Sequence, residues 1–352
     1  MNPAEAVLPI TIRDDVEENR VAAYVRAHPQ GTPFHLPAWL QGVEKGTGHR
    51  AHMLAAERAG RIVGLLPLTA VKSLLFGKAL ASSGFAVGGG VLADDEAVAG
   101  ILTEAGWALA GKLGMPSLEL RGGTMPGGEG WTIKTESYAG FVRPLAADDD
   151  AELKAIPRKQ RAEVRKALDA DLTVSVGRDR ADRAAHYAVY AESVRNLGTP
   201  VFPKRLFTAM LDAFGGDADI LTVRHQGTPV ASVLSLYHQG TVMPYWGGGT
   251  FGARALRANE LMYFSLMRHA RARGCTAFDF GRSKPGTGAF AYKKNWGFEP
   301  QPLAYAIRTA DGQAPREVNP LNPKYQAKIK AWQKLPLWLA NRLGPPIARG
   351  LG

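Results

Sequence analysis

Cysteine is nearly missing from this chain: Cys275 is the single one in 352 residues. One thiol cannot close an intrachain disulfide, and it excludes a cysteine-based zinc site, so Cys275 is expected to pack as a small hydrophobe beside the strand that follows it. No apolar run reaches the length of a membrane-spanning helix; the longest apolar region, residues 74–92, is broken by Lys78 and by glycines. The first residues lack a basic segment followed by an apolar core, so no signal peptide is expected, and the expected location is the cytoplasm. Positive charge, by contrast, is plentiful. Lys and Arg number 43 against 32 Asp and Glu, a formal net charge of +11. That balance favours an anionic partner such as nucleic acid, a phosphorylated cofactor, a sugar nucleotide or an anionic membrane surface. With 45% hydrophobic and 21% charged residues the composition is globular, and the length suits two domains better than one core.

The chain repeats an order of elements. In the first half, β-like runs at Met53–Ala56 and Ile62–Leu68 flank a turn at Gly60. A strand-like Leu74–Phe76, a glycine-rich stretch, a helix over about 95–113 ended by Gly114 and a strand at Ser117–Leu120 follow. In the second half, runs at Ile220–Val223 and Val230–Tyr237 flank Gly227. After them come Val242–Trp246, Gly247–Gly249, a helix over about 259–273 ended by Gly274 and a strand around Phe278. Gly60 and Gly227 stand 167 positions apart, Gly114 and Gly274 160, which maps Glu119 onto Asp279. An internal duplication of an α/β unit is therefore expected, with domains over residues 1–147 and 151–310 and a tail over 311–352.

Only the second copy keeps a charged loop after its last strand. The run Ala277, Phe278 and Phe280, interrupted by Asp279, is broken at Gly281. A loop with Arg282 and Ser283 leads to a short helix over Ala289–Asn295 that carries Tyr292, Lys293 and Lys294 and is ended at Gly297. The arrangement would gather a carboxylate, an arginine, a serine and two lysines at the C-terminal end of a strand, where open α/β sheets bind ligands. Each residue alone also fits an ordinary buried acid or a solvated helix end. His225 and His238 fall at hairpin turns and are expected to be exposed. Ahead of the second copy, Arg158, Arg161 and Arg165 share one face of a basic helix, either a solvated face or a phosphate clamp. The tail from Asn319 alternates Tyr325, Ile329, Trp332, Leu335, Trp338, Leu339 and Leu343 with Lys324, Lys328, Lys330, Lys334 and Arg342. Such a segment can cap a core, lie peripherally on the inner face of an anionic membrane, or meet a partner.

These residues resemble the Fem-type (FemAB) branch of the Gcn5-related N-acyltransferases, and more narrowly the FemAB-like proteins of PEP-CTERM and exosortase exopolysaccharide systems. The resemblance rests on Phe34-His35-Leu36-Pro37-Ala38-Trp39-Leu40, Val63-Gly64-Leu65-Leu66-Pro67-Leu68, Pro157-Arg158-Lys159-Gln160-Arg161, Leu197-Gly198-Thr199-Pro200, Phe278 to Ser283 and Tyr292-Lys293-Lys294-Asn295-Trp296-Gly297. It implies two tandem acyl-CoA N-acyltransferase (GNAT)-like domains, each a mixed sheet flanked by helices. It also implies an aminoacyl-tRNA or acyl-CoA donor as substrate, with no permanently bound cofactor and no metal. Lys293 matches the family's lysine position, facing an anionic donor or acceptor. The Arg/Gln-x-x-Gly-x-Gly/Ala pyrophosphate loop of acetyltransferases is not visible; Gly247–Gly249 through Arg254 and Arg257 is only loosely comparable.

Amide formation requires a deprotonated amine, a stabilised oxyanion and aligned substrates. The expected catalytic group is Asp279 as base or orienter, Lys293 against negative charge and Ser283 as a donor; with Asp279 as orienter, positioning carries the rate and substrate or solvent takes the proton. Arg282, Lys294, Tyr292, Trp296, Tyr245, Arg158, Arg161 and Arg165 are expected to bind donor or acceptor. The expected partners are an anionic donor and a sugar or peptide precursor. The competing reading is a catalytically silent module that holds an anionic glycan or lipid-linked sugar. Sequence-specific DNA binding is not expected, because the basic helix has no helix-turn-helix partner.

Overall fold

The structure is a computed structural model that describes residues 8–313 and 323–352. Asn319, where the tail was expected to begin, and the side chains of Lys324 and Tyr325 lie outside the described residues. The chain opens with β1 (Ile10–Arg13), α1 (Glu18–Ala27), α2 (Pro37–Thr47), β2 (Arg50–Arg58), β3 (Arg61–Ser73), β4 (Gly77–Ser82) and β5 (Leu92–Ala93). Next come α3 (Glu96–Lys112), β6 (Ser117–Arg121), β7 (Trp131–Lys134), β8 (Ala139–Pro144), α4 (Asp149–Ala155), α5 (Arg158–Leu168) and β9 (Thr173–Gly177). The middle holds α6 (Arg180–Asn196), α7 (Lys204–Phe214), β10 (Ala218–His225), β11 (Thr228–His238), β12 (Thr241–Gly249), α8 (Ala253–Leu256) and α9 (Ala258–Ala272). The last elements are β13 (Ala277–Ser283), α10 (Gly288–Asn295), β14 (Gln301–Pro302), β15 (Tyr305–Thr309), α11 (Pro323–Gln333) and α12 (Leu337–Ala348).

Among the described residues two units result, one of residues 8–135, 303–313 and 349–352, the other of 136–302 and 323–348. The first carries a mixed sheet in the order β1-β2-β3-β4-β6-β15-β7, with β5 on β3. Its core gathers Leu66, Leu68, Leu80, Leu102, Leu118 and Leu120 between sheet and α3. The second has the order β14-β8-β13-β12-β11-β10-β9. Its core includes Phe141, Phe264, Phe278, Trp296 and Phe298, and Cys275 is buried beside it as expected.

The repeat is visible in the pairing. In the first unit the hairpin β2–β3 is followed by β4, and α3 carries the chain to β6, which lies parallel to β4 through Leu80–Leu118 and Ala81–Glu119. In the second, β10–β11 is followed by β12, and α9 carries the chain to β13, parallel through Thr241–Ala277 and Val242–Phe278. Each last strand then takes an antiparallel neighbour from the other half of the sequence: β15 on β6 and β8 on β13. The domain limits drawn from sequence differ here. Residues 305–309 hydrogen-bond in the first unit's sheet and 139–144 in the second's, because strand pairing, not order along the chain, decides the partner.

The expected strand at Leu74–Phe76 is instead the turn between β3 and β4, with Leu74 and Leu75 in solvent. His238 ends β11 and is buried, against its expected exposure. The apolar stripe Phe207, Met210, Leu211 and Phe214 of α7 is core.

Candidate functional site

The site begins with an irregularity in β13. Asp279 stands opposite Val142 of β8, but Arg282 stands opposite Gly140, so β13 holds one residue more than its partner. This is a β-bulge, a device that re-aims side chains at strand ends. Gly281 supplies it with φ of +69°, a conformation a side-chain-bearing residue adopts at a cost. The Asp279 carboxylate accepts the Gly281 N–H at 2.8 Å and fixes the bulge from within. Asp279 is mostly buried, and burial raises its pKa above the ordinary carboxylate value; the Gly281 N–H and the charge of Lys293 pull the other way.

Past the bulge, Thr287 caps α10 by accepting the Phe290 N–H, and Gly297, at φ of +81°, follows its end. Lys293, in the last turn of α10, reaches back to β13, where its ammonium donates to the Arg282 carbonyl at 2.9 Å. It lies 5.4 Å from the centre of the Phe141 ring and 5.6 Å from that of Phe280. Burial, with a smaller contribution from Arg282, lowers its pKa to about 8 against the attraction of Asp279. The Arg282 guanidinium covers the Tyr138 ring at 4.5 Å. Asp279, Arg282, Ser283 and Lys293 thus lie on one bulged strand and the helix turned back on it. Ser283 is buried, opposite Ala139 in the sheet. Lys294 points to solvent.

Other expected site residues have different surroundings. Trp296 is fully buried among Tyr263, Phe280 and Tyr292, so its place is the core and not a substrate surface. Tyr292 turns away from Lys293 and donates to Glu260 at 3.4 Å. Arg161 spends its guanidinium on the turn before α5, donating to the Ile156 and Lys154 carbonyls at 3.1 Å each. That leaves Arg158 and Arg165 as the exposed members of the expected clamp. Tyr245 packs edge-on against Trp246, ring centres 4.6 Å apart.

Glu260 was not anticipated. It sits in the first turn of α9 and accepts from Gln160 at 3.5 Å and from Tyr292. Burial raises its pKa, with those hydrogen bonds opposing. The only hint in the sequence was an acid directly after Arg257, Ala258 and Asn259 at a helix start. A cleft of about 820 Å³ elsewhere in the unit, lined by Leu168, Leu172, Val174, Leu261 and Arg268, touches none of Asp279, Arg282 or Lys293.

In the first unit the position of Asp279 is held by Glu119, which is bound to Arg121 at 3.3 Å, and Arg121 also donates to the Ala86 carbonyl. There the acid and arginine close on each other inside the protein; in the second unit the arginine stacks on an aromatic ring, and a lysine approaches the acid's strand.

Comparison with known proteins agrees with this division. Residues 157–294, from α5 to α10, match the model of the acetyltransferase (GNAT) domain, and so contain Asp279, Arg282 and Lys293. Among solved structures, FemX superposes with a TM-score of 0.68 at 17% identity, over 84% of this chain and 96% of that one. The C-terminal domain of a putative lysylphosphatidylglycerol synthetase from Agrobacterium fabrum gives 0.57 at 12%, over 83% and 91%. A tandem GNAT protein from the clavulanic acid biosynthesis pathway gives 0.53 at 14%, over 87% and 100%. No curated protein matches the chain. The chain has the tandem GNAT-like fold, two mixed sheets flanked by helices.

Proposed function

We propose that this protein is an N-acyltransferase or aminoacyltransferase that forms an amide on an amine of a sugar or peptide precursor in cell-envelope or exopolysaccharide assembly. The donor is an acyl-CoA or an aminoacyl-tRNA. The observation that carries this reading is the pairing in one place of a carboxylate whose pKa is raised and a lysine whose pKa is lowered to about 8. In the reaction the acceptor nitrogen attacks the donor carbonyl, a C–N bond forms, and the thiolate or ribose oxygen leaves. Asp279, ionised, takes the proton lost by the amine. Lys293, charged, faces the negative charge that develops on the carbonyl oxygen, and Ser283 and Arg282 supply further donors. Arg158, Arg165 and Lys294 suit the phosphates of the donor.

The GNAT match over the same residues and the FemX-like fold support this reading. The test is a mass-spectrometric search for amide products, with acyl-CoA and aminoacyl-tRNA donors offered to amino-sugar and peptide acceptors. A product made by the wild type and lost with Lys293→Ala is the expected result. A product made equally by both would remove Lys293 from the mechanism, and no product with any pair would favour the glycan-holding module.

A further inference from the structure

Helix α12 buries its small residues and leaves part of its large apolar surface in solvent. Its buried positions are the small ones, Ala340, Gly344 and Ala348. Gly344 lies so close to the backbone of Val201 that an added Cβ would stand 3.0 Å from its nitrogen. Of the helix's five large apolar side chains, Leu337, Leu339 and Ile347 are half-buried, but two are left outside: Trp338 is 70% exposed and Leu343 42%. At 100° per residue, Arg342 falls between Trp338 and Leu343 on the face opposite the buried stripe. Amphipathic helices of globular proteins bury the large apolar residues, so this exposure calls for an occupant.

The neighbouring surface has the same character. The end of α11 is tied to the end of α6, where Arg195 donates to the Gln333 carbonyl at 3.2 Å and Gln333 to the Asn196 carbonyl at 3.1 Å. This sets Leu197, itself 70% exposed, beside that end of α11. Lys330 is exposed on α11, Lys334 in the turn just past its end, and Arg342 on α12. From residue 323 to 352 the chain has no Asp or Glu. No helix among the described residues is long and apolar enough to cross a membrane.

We propose that the surface formed by Leu197, Lys330, Lys334, Trp338, Arg342 and Leu343 is a docking face for an anionic lipid bilayer, entered to interfacial depth by Trp338 and Leu343. Charge complementarity selects this occupant. A second copy of the chain would set these cations against their own kind, with no acid of the segment to answer them. A bilayer supplies both phosphate charge for the cations and an acyl boundary for the indole and leucine. The surface is built from the α6 end, α11 and α12, and stands independently of the transfer reaction.

The test is co-sedimentation of the full chain with vesicles of phosphatidylcholine alone or with about a third phosphatidylglycerol. The wild type is expected to sediment with the anionic vesicles only, and to be released by added salt. Trp338→Ser with Leu343→Ser, and separately Lys330→Glu with Lys334→Glu, should each weaken binding by roughly tenfold or more while the melting temperature stays unchanged. Wild-type protein that stays in the supernatant with every vesicle overturns the proposal, as does binding that both double variants retain. Self-association that depends on Trp338, without vesicle binding, also overturns it and makes a second copy the occupant.

Discussion

The ammonium of Lys293 donates to the carbonyl oxygen of Arg282 at 2.9 Å, joining the last turn of α10 to the bulge of β13. One contact therefore sets both where the cation sits and how the strand end is held. Burial lowers the lysine's pKa to about 8, so its charge is retained at a cost. A group placed at such cost is where function is expected to show.

Replacing Lys293 by Met should separate stability from activity. Keeping the lysine charged here costs on the order of 3 kcal/mol below about pH 8, and losing its hydrogen bond returns roughly 1. The variant should thus be more stable by about 1–2 kcal/mol at neutral pH in urea unfolding. Because the folded pKa lies below the unfolded one, the penalty on the wild type fades as pH rises from about 8 towards the ordinary lysine value, and the difference should shrink across that window. Transfer should fall about 10²–10³-fold.

The rate should follow a bell in pH. Asp279 acts ionised, so activity rises through a pKa above the usual aspartate range; Lys293 acts charged, so it falls through about 8. In Lys293→Arg, whose side chain stays protonated, the alkaline limb should move up by more than a unit or so. A limb that stays in place would assign it to another group.

Two acids with raised pKa values compete for the role of base, and they can be told apart. Asp279→Asn should lower the rate about 10²–10⁴-fold. Glu260→Gln, which keeps an oxygen to accept from Gln160 and Tyr292, should leave the rate within a few-fold and not reduce stability, because no charge then has to be buried. Kinetics with the two variants side by side decides it.

Gly281→Ala should be felt more in the rate than in the fold. A Cβ there meets nothing within 4 Å, so the cost is the positive φ alone, about 1–2 kcal/mol. Relaxing that φ straightens the bulge and re-aims Asp279 and Arg282. The loss in kcat should therefore exceed what the melting curve would suggest.

Trp296→Ala and Arg161→Ala should behave as structural variants. The first empties a fully buried site and should cost about 3–5 kcal/mol. The second frees the Ile156 and Lys154 carbonyls and should cost about 1–2. Neither should change donor affinity in protein that remains folded.

Much of the fold was legible because the repeat is written in local signals. Gly60 and Gly227 mark hairpins, Gly114 and Gly274 end helices, and α9 and α10 fall within a residue of their expected limits, whereas β13 runs on to Ser283 through the break at Gly281 where a loop was expected. The exchange of β8 and β15 was not legible, since strand partners distant in sequence leave no local mark. At the site, Asp279, Arg282 and Lys293 were readable as charges in a glycine-rich break. What the sequence could not tell was direction: Trp296 and Tyr292 share the motif with Lys293, yet helical spacing sends them to the core side, and Arg161 turns back on its own helix start. Glu260 escaped because its raised pKa comes from burial by α5 and α10, a property of packing.

The most direct measurement is the thermal stability of wild type and Lys293→Met with coenzyme A, acetyl-CoA and aminoacyl-tRNA. A donor at ~100 times its dissociation constant adds about 2.7 kcal/mol to the folded state, a clear rise in melting temperature. A transferase whose donor meets Lys293 predicts such a rise with one donor class in the wild type, and its loss or marked reduction in the variant. No rise with any donor, or an equal rise in both proteins, would contradict it.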